Sequence, residues 1–297
     1  MLDGIAEFVA AADCGSFSAA AEATSTSVAN ISRKVAALEK RLAQQLLLRT
    51  ARGCTLTESG QIFYRSCRGL LDGLEESLDA MQSGISKLQG SIKISLAGHF
   101  SEHYILPLLA EFGEQHPGVS VNVNVTARNV DLVGENVDMC VRVGPLLDSA
   151  LIARKLIDIP LRTLISPALR DALGQIATPD DLPDEKCLPL LGRRWYYQKD
   201  GISKTVNPRG RFASDNGIAL VAAAQRSLGA IQVPSYYGQQ ALDSGQLVTI
   251  LEDWHPTESF EFYLVFPSAK YLPKRVRALA EFLKNHLSHR VEFQLAP

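Results

Sequence analysis

Apolar residues along the first 57 positions recur at helical spacing. Leu2, Ile5, Phe8, Val9 and Ala12 mark one helical face, which Gly15 and Ser16 interrupt. A second helix over Ser18–Ala23 is dominated by Ala19, Ala20, Ala21 and Ala23. Such small side chains let a neighbouring helix approach closely. Thr24–Thr26 leave only a tight connection before a third helix. Ser27 can cap that helix by accepting an unpaired N–H of its first turn. Its apolar stripe is Ile31, Val35, Leu38 and Leu42. Two helices joined this tightly predict a helix-turn-helix. Leu46–Arg49, a turn at Arg52–Gly53 and Thr55–Leu56 predict a small two-stranded wing after it.

From about Glu58 to Leu88 the period changes. Tyr64, Cys67, Leu71, Leu74, Leu78, Met81, Ile85 and Leu88 stand alternately three and four residues apart. A 3.5-residue period of this length predicts a helix paired with another along a seam. Thr57 would cap it and Gly90 stop it. Cys67, Leu71, Leu74, Leu78, Met81 and Ile85 are therefore expected to dimerise the chain.

From Ser91 onward, strand and helix patterns alternate. Ile92–Ala97, the alternating Val119, Val121, Val123 and Val125, and Asp138–Val143 read as strands, with helices at His103–Glu114 and Val130–Asn136. Leu161–Ser166, Arg211–Ser214, Ala230–Val233 and Leu247–Leu251 read as a second set of strands, with helices near Gly217–Gln225 and Ser235–Asp243. A late strand, Phe260–Phe266, precedes a final helix, Lys274–His286. The fold class is α/β, with two lobes joined by crossing strands. The expected division is a winged domain over 1–58, a linker helix over 59–89 and a two-lobed domain over 90–297. Lobe 1 would hold about 91–162 and 266–297, and lobe 2 about 163–265.

Composition changes this picture in one place. The net charge of −2 and pI near 6.3 do not advertise nucleic acid. Yet residues 1–29 carry only acids (Asp3, Glu7, Asp13, Glu22), while Arg33, Lys34, Lys40, Arg41, Arg49 and Arg52 then stand against the single acid Glu39. Clustered cations of this kind are a candidate phosphate footprint, the alternative being a solvated helix face. Five widely spaced cysteines without a CxxC pair point to neither a disulfide framework nor a thiolate zinc site, and a reducing compartment fits them. Asp3 and Glu7 stand where a signal peptide needs positive charge. No apolar run approaches the ~18 residues of a membrane span. A cytoplasmic protein without cofactor or metal is expected.

The stretch FVAAADCGSFSAAAEATSTSVANISRKVAALEKRL, followed by LLLRTARGCTLTESG, resembles the N-terminal domain of LysR-type transcriptional regulators. DMCVRVG, DSALIARKL, PDDLPDEKCL and LGAIQVPSYY are similar to that family's effector-binding domain. The resemblance covers essentially the whole chain and implies a winged helix-turn-helix, a linker helix and a periplasmic-binding-protein-like sensor. Thr24, Val28 and Ala43 depart from the pattern, standing where leucine, a polar residue such as glutamine, and glycine are usual. By the resemblance, Val28, Ala29, Ser32 and Arg33 face the major groove of double-stranded DNA. Small residues at Ser27, Val28, Ala29 and Asn30 allow close docking. Arg33 is the best base reader, since a guanidinium bonds guanine bidentately. Ser32 can bond a base or a phosphate, and Asn30 adenine if it turns inward. Arg49 and Arg52 look like phosphate contacts. A two-fold dimer implies an interrupted palindrome. The resemblance further suggests a tetramer, with RNA polymerase as a further partner.

Ligands of open α/β sheets sit beyond the carboxyl ends of strands. The family's effector pocket falls there, so a small-molecule site between the lobes is expected at His99, Phe100, Ser101, Arg128, Arg142, Ser214, Asn216 and Gln232. Each of these can instead be a cap or a satisfied polar group. Arg128 and Arg142 hint at a carboxylate effector, unless Glu102 and Asp215 neutralise them. Trp195, Tyr196 and Tyr197 read as packing. Other classes fare worse. A solute-binding protein has no use for the first ~90 residues. An enzyme lacks a third metal ligand beside His99 and His103, and an acid beside Ser101 and His99. A redox switch at Cys187 or Cys140 stays open.

Overall fold

In the computed structural model, three short helices build the N-terminal core: α1 (Ile5–Cys14), α2 (Phe17–Ala23) and α3 (Val28–Leu42). The structure describes residues 3–50, 53–83, 88–144, 151–190, 192–267, 272–288 and 293, and of residues 65, 72 and 75–83 the backbone alone. Each connection has a local cause. Gly15 ends α1 in the left-handed region at φ 64°. Ser16 Oγ accepts from Ala19 N at 3.0 Å to start α2, and Ser27 Oγ accepts from Asn30 N at 3.2 Å to start α3. Phe8, Val9 and Ala11 of α1, Ala20 and Ala21 of α2, and Ile31, Val35 and Leu38 of α3 fill one core. Leu42, expected on the same stripe, is 38% exposed, because α3 ends there.

The wing pairs β1 (Leu47–Thr50) with β2 (Gly53–Leu56) in antiparallel register, Leu47 opposite Leu56 and Arg49 opposite Cys54. Glu39 Oε1 accepts the N–H groups of Leu46 and Leu47 at 2.7 and 3.0 Å, which fixes where the wing leaves α3. Helix α4 (Glu58–Ser83) is capped by Thr57, whose Oγ1 accepts from Gly60 N at 2.9 Å. A Cβ at Gly60 would lie 2.0 Å from the Leu46 carbonyl oxygen, so only glycine admits this approach. Asp13 of α1 accepts from both Tyr64 Oη and Arg68 Nη1 of α4.

The remaining chain alternates as the pattern suggested, with three differences. In the first lobe, β3 (Gly90–Leu96) leads into α5 (Gly98–Phe100), one π-helical turn (Ser101–Ile105) and α6 (Leu106–Gln115). Strands β4 (Val119–Val125) and β5 (Met139–Val143) flank β3, both parallel to it. The helix expected over Val130–Asn136 is a series of turns. There Asp131 Oδ1 accepts from Val133 N, Glu135 Oε1 accepts from Asp131 N, and Asn136 is left-handed at φ 54°. Side chains that bond their own backbone compete with the helix ladder.

The chain continues through β6 (Ile152–Ile165), α7 (Pro167–Leu173), β7 (Trp195–Lys199), β8 (Ile202–Val206), α8 (Gly217–Gln225), β9 (Ile231–Pro234), α9 (Ser235–Asp243), β10 (Val248–Thr249), β11 (His255–Pro256), β12 (Ser259–Phe266) and α10 (Lys274–Ser288). Strands β9 and β10 both pair antiparallel with β6. Arg211–Ser214 forms no strand; Ser214 makes only an isolated bridge to Leu190. A hairpin of β7 and β8 stands where only packing was read. Asp200 and Gly201 turn it with φ of 48° and 80°, the left-handed pair that an Asp-Gly hairpin turn requires. Trp195 and Tyr197 are buried beneath it, as packing requires, whereas Tyr196 is exposed.

Two compact units result. One gathers Met1–Arg142, Asp148–Arg154 and Leu264–Leu283, the other Val143–Leu147, Lys155–Tyr263 and Lys284–Pro297. The divide thus falls inside β5, β6, β12 and α10. In the second unit, Trp195, Tyr197 and Trp254 centre one buried cluster, and Leu220, Ile231 and Val233 centre another.

Candidate nucleic-acid interface and effector site

Helix α3 has two faces with different jobs. Ile31, Val35 and Leu38 are buried, which holds the opposite face of the first turn outward. Val28 is 45% exposed, Ala29 and Arg33 are exposed, and Asn30 and Ser32 are half-buried. Ser27 is consumed as the cap. The polar groups of this face bond one another. Asn30 Nδ2 donates to Thr26 Oγ1 and Arg33 Nη2 donates to Asn30 Oδ1, each at 3.0 Å. Arg49, from the wing, donates through Nη2 to Ser32 Oγ at 2.9 Å and lies 4.5 Å above the Phe17 ring. Arg49 is therefore paired within the protein. Among the described residues Arg33 meets no acid; its partner is a neutral amide. Arg52 lies outside the described residues.

Two other cations of the cluster are tied to acids or backbone. Lys34 Nζ sits 2.6 Å from Glu7 and 3.6 Å from Asp3, and Arg41 Nη2 donates to the Asp3 carbonyl. The acidic first helix thus neutralises part of the basic cluster from behind.

The expected dimer seam needs correction. Cys67 is 3% exposed and Tyr64 7%, both in the core formed with α1, and Leu71 packs against that core. Tyr64 and Cys67 are thus spent on that core, while Leu71 is only half-buried against it. The three-and-four spacing in this half of α4 records contact with a helix of the same chain. The exposed apolar positions are Ile62, Leu70 and Leu74, at 59%, 59% and 49%. Of the expected seam only Leu74 is among them. The side chains of Leu78 and Met81, and Ile85 altogether, lie outside the description.

The expected effector residues are mostly spent on local structure. Ser101 is buried, and its Oγ donates back to the Ala97 carbonyl at 2.9 Å. Phe100 is buried beside Tyr104. His99 is half-buried; its ring stacks on His103, centroids 5.7 Å apart, and burial first, then the His103 charge, lower its pKa. Among the described residues no third ligand makes these histidines a metal-binding group. Arg128 forms a two-pronged ion pair with Glu135, at 2.6 and 2.5 Å, so its neutralising acid is neither Glu102 nor Asp215. Arg142 Nη2 reaches the Arg128 carbonyl at 3.3 Å. In the second unit, Ser214 Oγ accepts from Asn216 N, and Asn216 Oδ1 accepts from Ile218 N to cap α8. Gln232 alternates with Ile231 and Val233 and so faces away from the α8 side. It is buried opposite Thr163, whose hydroxyl bonds Tyr197 Oη at 2.6 Å. Its Nε2 is a buried donor with no hydrogen-bond partner among the described residues.

Comparison with known proteins decides the family. Residues 2–61 match the model of the bacterial regulatory helix-turn-helix protein, lysR family, and residues 86–288 match that of the LysR substrate binding domain. The chain belongs to the LysR family of bacterial transcriptional regulators. LysR-type regulators bind DNA and small-molecule effectors and form oligomers, and they are not enzymes. The regulator reading therefore stands over the solute-binding and redox-sensing alternatives. Among relatives, PtxR of Pseudomonas aeruginosa, an HTH-type transcriptional regulator, is 32% identical over 301 aligned residues, which span 99% of this chain and 95% of PtxR. The full-length structure of AphB, the Vibrio cholerae virulence activator, is 28% identical with a TM-score of 0.56, covering 96% of this chain and 99% of that one. CrgA of Neisseria meningitidis, also LysR-type, is 26% identical with a TM-score of 0.58, covering 96% and 98%. Among the described residues no helix is long and apolar enough to cross a membrane.

Proposed function

We propose that this LysR-type regulator reads an interrupted palindrome in double-stranded DNA as a homodimer or a pair of dimers, with Arg33 contacting bases. Residues 1–58 dock on DNA, 59–89 link and dimerise, and 90–297 hold the effector. The observation that carries the reading is the outward first turn of α3. Val28, Ala29 and Arg33 project from a helix whose other face is locked in a core. A recognition helix needs this arrangement, small at its leading end with one long cation behind. Val28 and Ala29 supply apolar contact, for instance to a thymine methyl, and Arg33 supplies the polar discrimination. Arg49, braced on Phe17 and Ser32, and Arg52 supply phosphate contact. Arg142, near the carboxyl end of β5, supports a carboxylate as the effector class. RNA polymerase is the further partner expected of a regulator bound at a promoter.

Footprinting the purified protein on the DNA beside its own gene tests this. Two protected half-sites about one helical turn apart, and affinity falling steeply with added salt, are expected. Binding indifferent to salt overturns the proposal.

A further inference from the structure

The side chain of Asn30 is engaged at both ends on the protein's own surface. Its Nδ2 donates to Thr26 Oγ1 and its Oδ1 accepts from Arg33 Nη2. Its backbone N–H is taken by Ser27 Oγ. Thr26 stands just before the Ser27 cap, and Asn30 and Arg33 lie three apart within α3, so the two bonds line the three side chains up along the helix's first turn. The chemistry fixes the amide's orientation: turned over, its NH₂ would face the guanidinium, donor against donor. Thr26 is half-buried and holds the far end of this relay firm.

A long arginine loses rotamer freedom when it settles on a base, and that loss weakens binding. A side chain already directed loses less. A guanidinium also carries more donors than the contact to Asn30 uses, which leaves an edge for guanine. We infer that Asn30 is a positioning residue that aims Arg33 at its base pair and reads no base itself. The inference rests on Arg33 as the base reader. It replaces the sequence-level expectation of an adenine contact, because the amide is held between Thr26 and Arg33, with one N–H and one oxygen lone pair already engaged there and its plane set by those two bonds.

The test uses the full chain and a randomised double-stranded DNA library. Base preference at every position is measured for the wild type, R33A, N30A, T26V and the N30A/R33A double variant. R33A should flatten one base pair of each half-site by about tenfold. N30A should weaken preference at that same pair by about threefold, with the salt dependence of binding unchanged. The double variant should look like R33A alone, since aiming an absent side chain does nothing. T26V is isosteric, keeps the fold if N30A does not, and should shift the same pair in the same direction. If N30A alters a different base pair, or its effect adds to that of R33A, Asn30 is a reader and the inference fails. If R33A costs preference while N30A and T26V cost none, the positioning fails alone. If R33A leaves the profile intact, base reading by Arg33 fails and the positioning falls with it.

Discussion

At residue scale, Ala43 shows how one side chain sets local strain. It ends α3 with φ 50° and ψ 34°, a left-handed conformation in which an L-residue crowds its own carbonyl. This is the physical reason glycine suits the position. Ala43→Gly should stabilise the winged domain by about 0.5–1 kcal/mol, the relief of strain outweighing glycine's extra entropy. A higher denaturation midpoint with unchanged DNA affinity is the expected result; an unchanged or lower midpoint contradicts it. Thr24, the other departure near the turn, bonds Ala20's carbonyl at 2.7 Å through Oγ1 and fits the end of α2 without a leucine.

At element scale, helix α4 carries two contacts on two faces. Tyr64, Cys67 and Leu71 hold it to α1, and Ile62, Leu70 and Leu74 are open. A heptad-like spacing cannot say which helix fills it, because a partner from the same chain and one from another leave the same period. The open face is proposed as the dimer seam of this half of the helix. Replacing Leu70 and Leu74 with Glu should weaken the dimer by about 100-fold or more, since two buried leucines are worth about 3 kcal/mol. Light scattering reads the dissociation, and the thermal midpoint should barely move. Cys67→Asp should do the reverse: it buries an unpaired charge, so the fold loses several kcal/mol. A double Glu variant that stays dimeric sinks the assignment of the seam.

At the scale of the whole molecule, the cysteines speak against an oxidation switch. Burial pushes the Cys187 thiol up to about 12 and that of Cys67 up to about 11, and it raises Cys54 and Cys140 as well; Cys14 is exposed at the surface, and partial desolvation with the neighbouring Asp13 charge raises its thiol. The thiolate is the reactive form, so these thiols are slow at neutral pH. Mild peroxide should leave DNA binding unchanged, as measured by titration before and after treatment; loss of binding restored by reductant contradicts this. The same shifts fix a pH dependence. The unfolded chain releases these protons near the ordinary value of 9.0, while the folded chain keeps those of Cys187 and Cys67 well above it. Stability is therefore full below about pH 9 and falls as pH rises further. Replacing Cys187 with Ala should flatten that alkaline limb.

Periodicity, small-residue runs and turn chemistry by themselves determined most of the element order, the α/β class and the caps at Ser27 and Thr57, and the resemblance of the chain's motifs pointed to the family. Each of these depends on residues close together in sequence, and spacing records such contacts directly. Tertiary structure alone decided which partner each side chain takes. It gave Arg128 to Glu135, Arg49 to Ser32 and Phe17, Cys67 to the core around α1, and Asn30 to Arg33. It also turned Ser101, Ser214 and Asn216 into local bonds and buried Gln232. A polar side chain bonds whatever the fold brings within about 3 Å. For Arg49 and Cys67 that neighbour comes from a distant segment, so spacing carries no trace of it; for Asn30, Ser101, Ser214 and Asn216 it is local, and spacing allows several bonds among which the fold selects one.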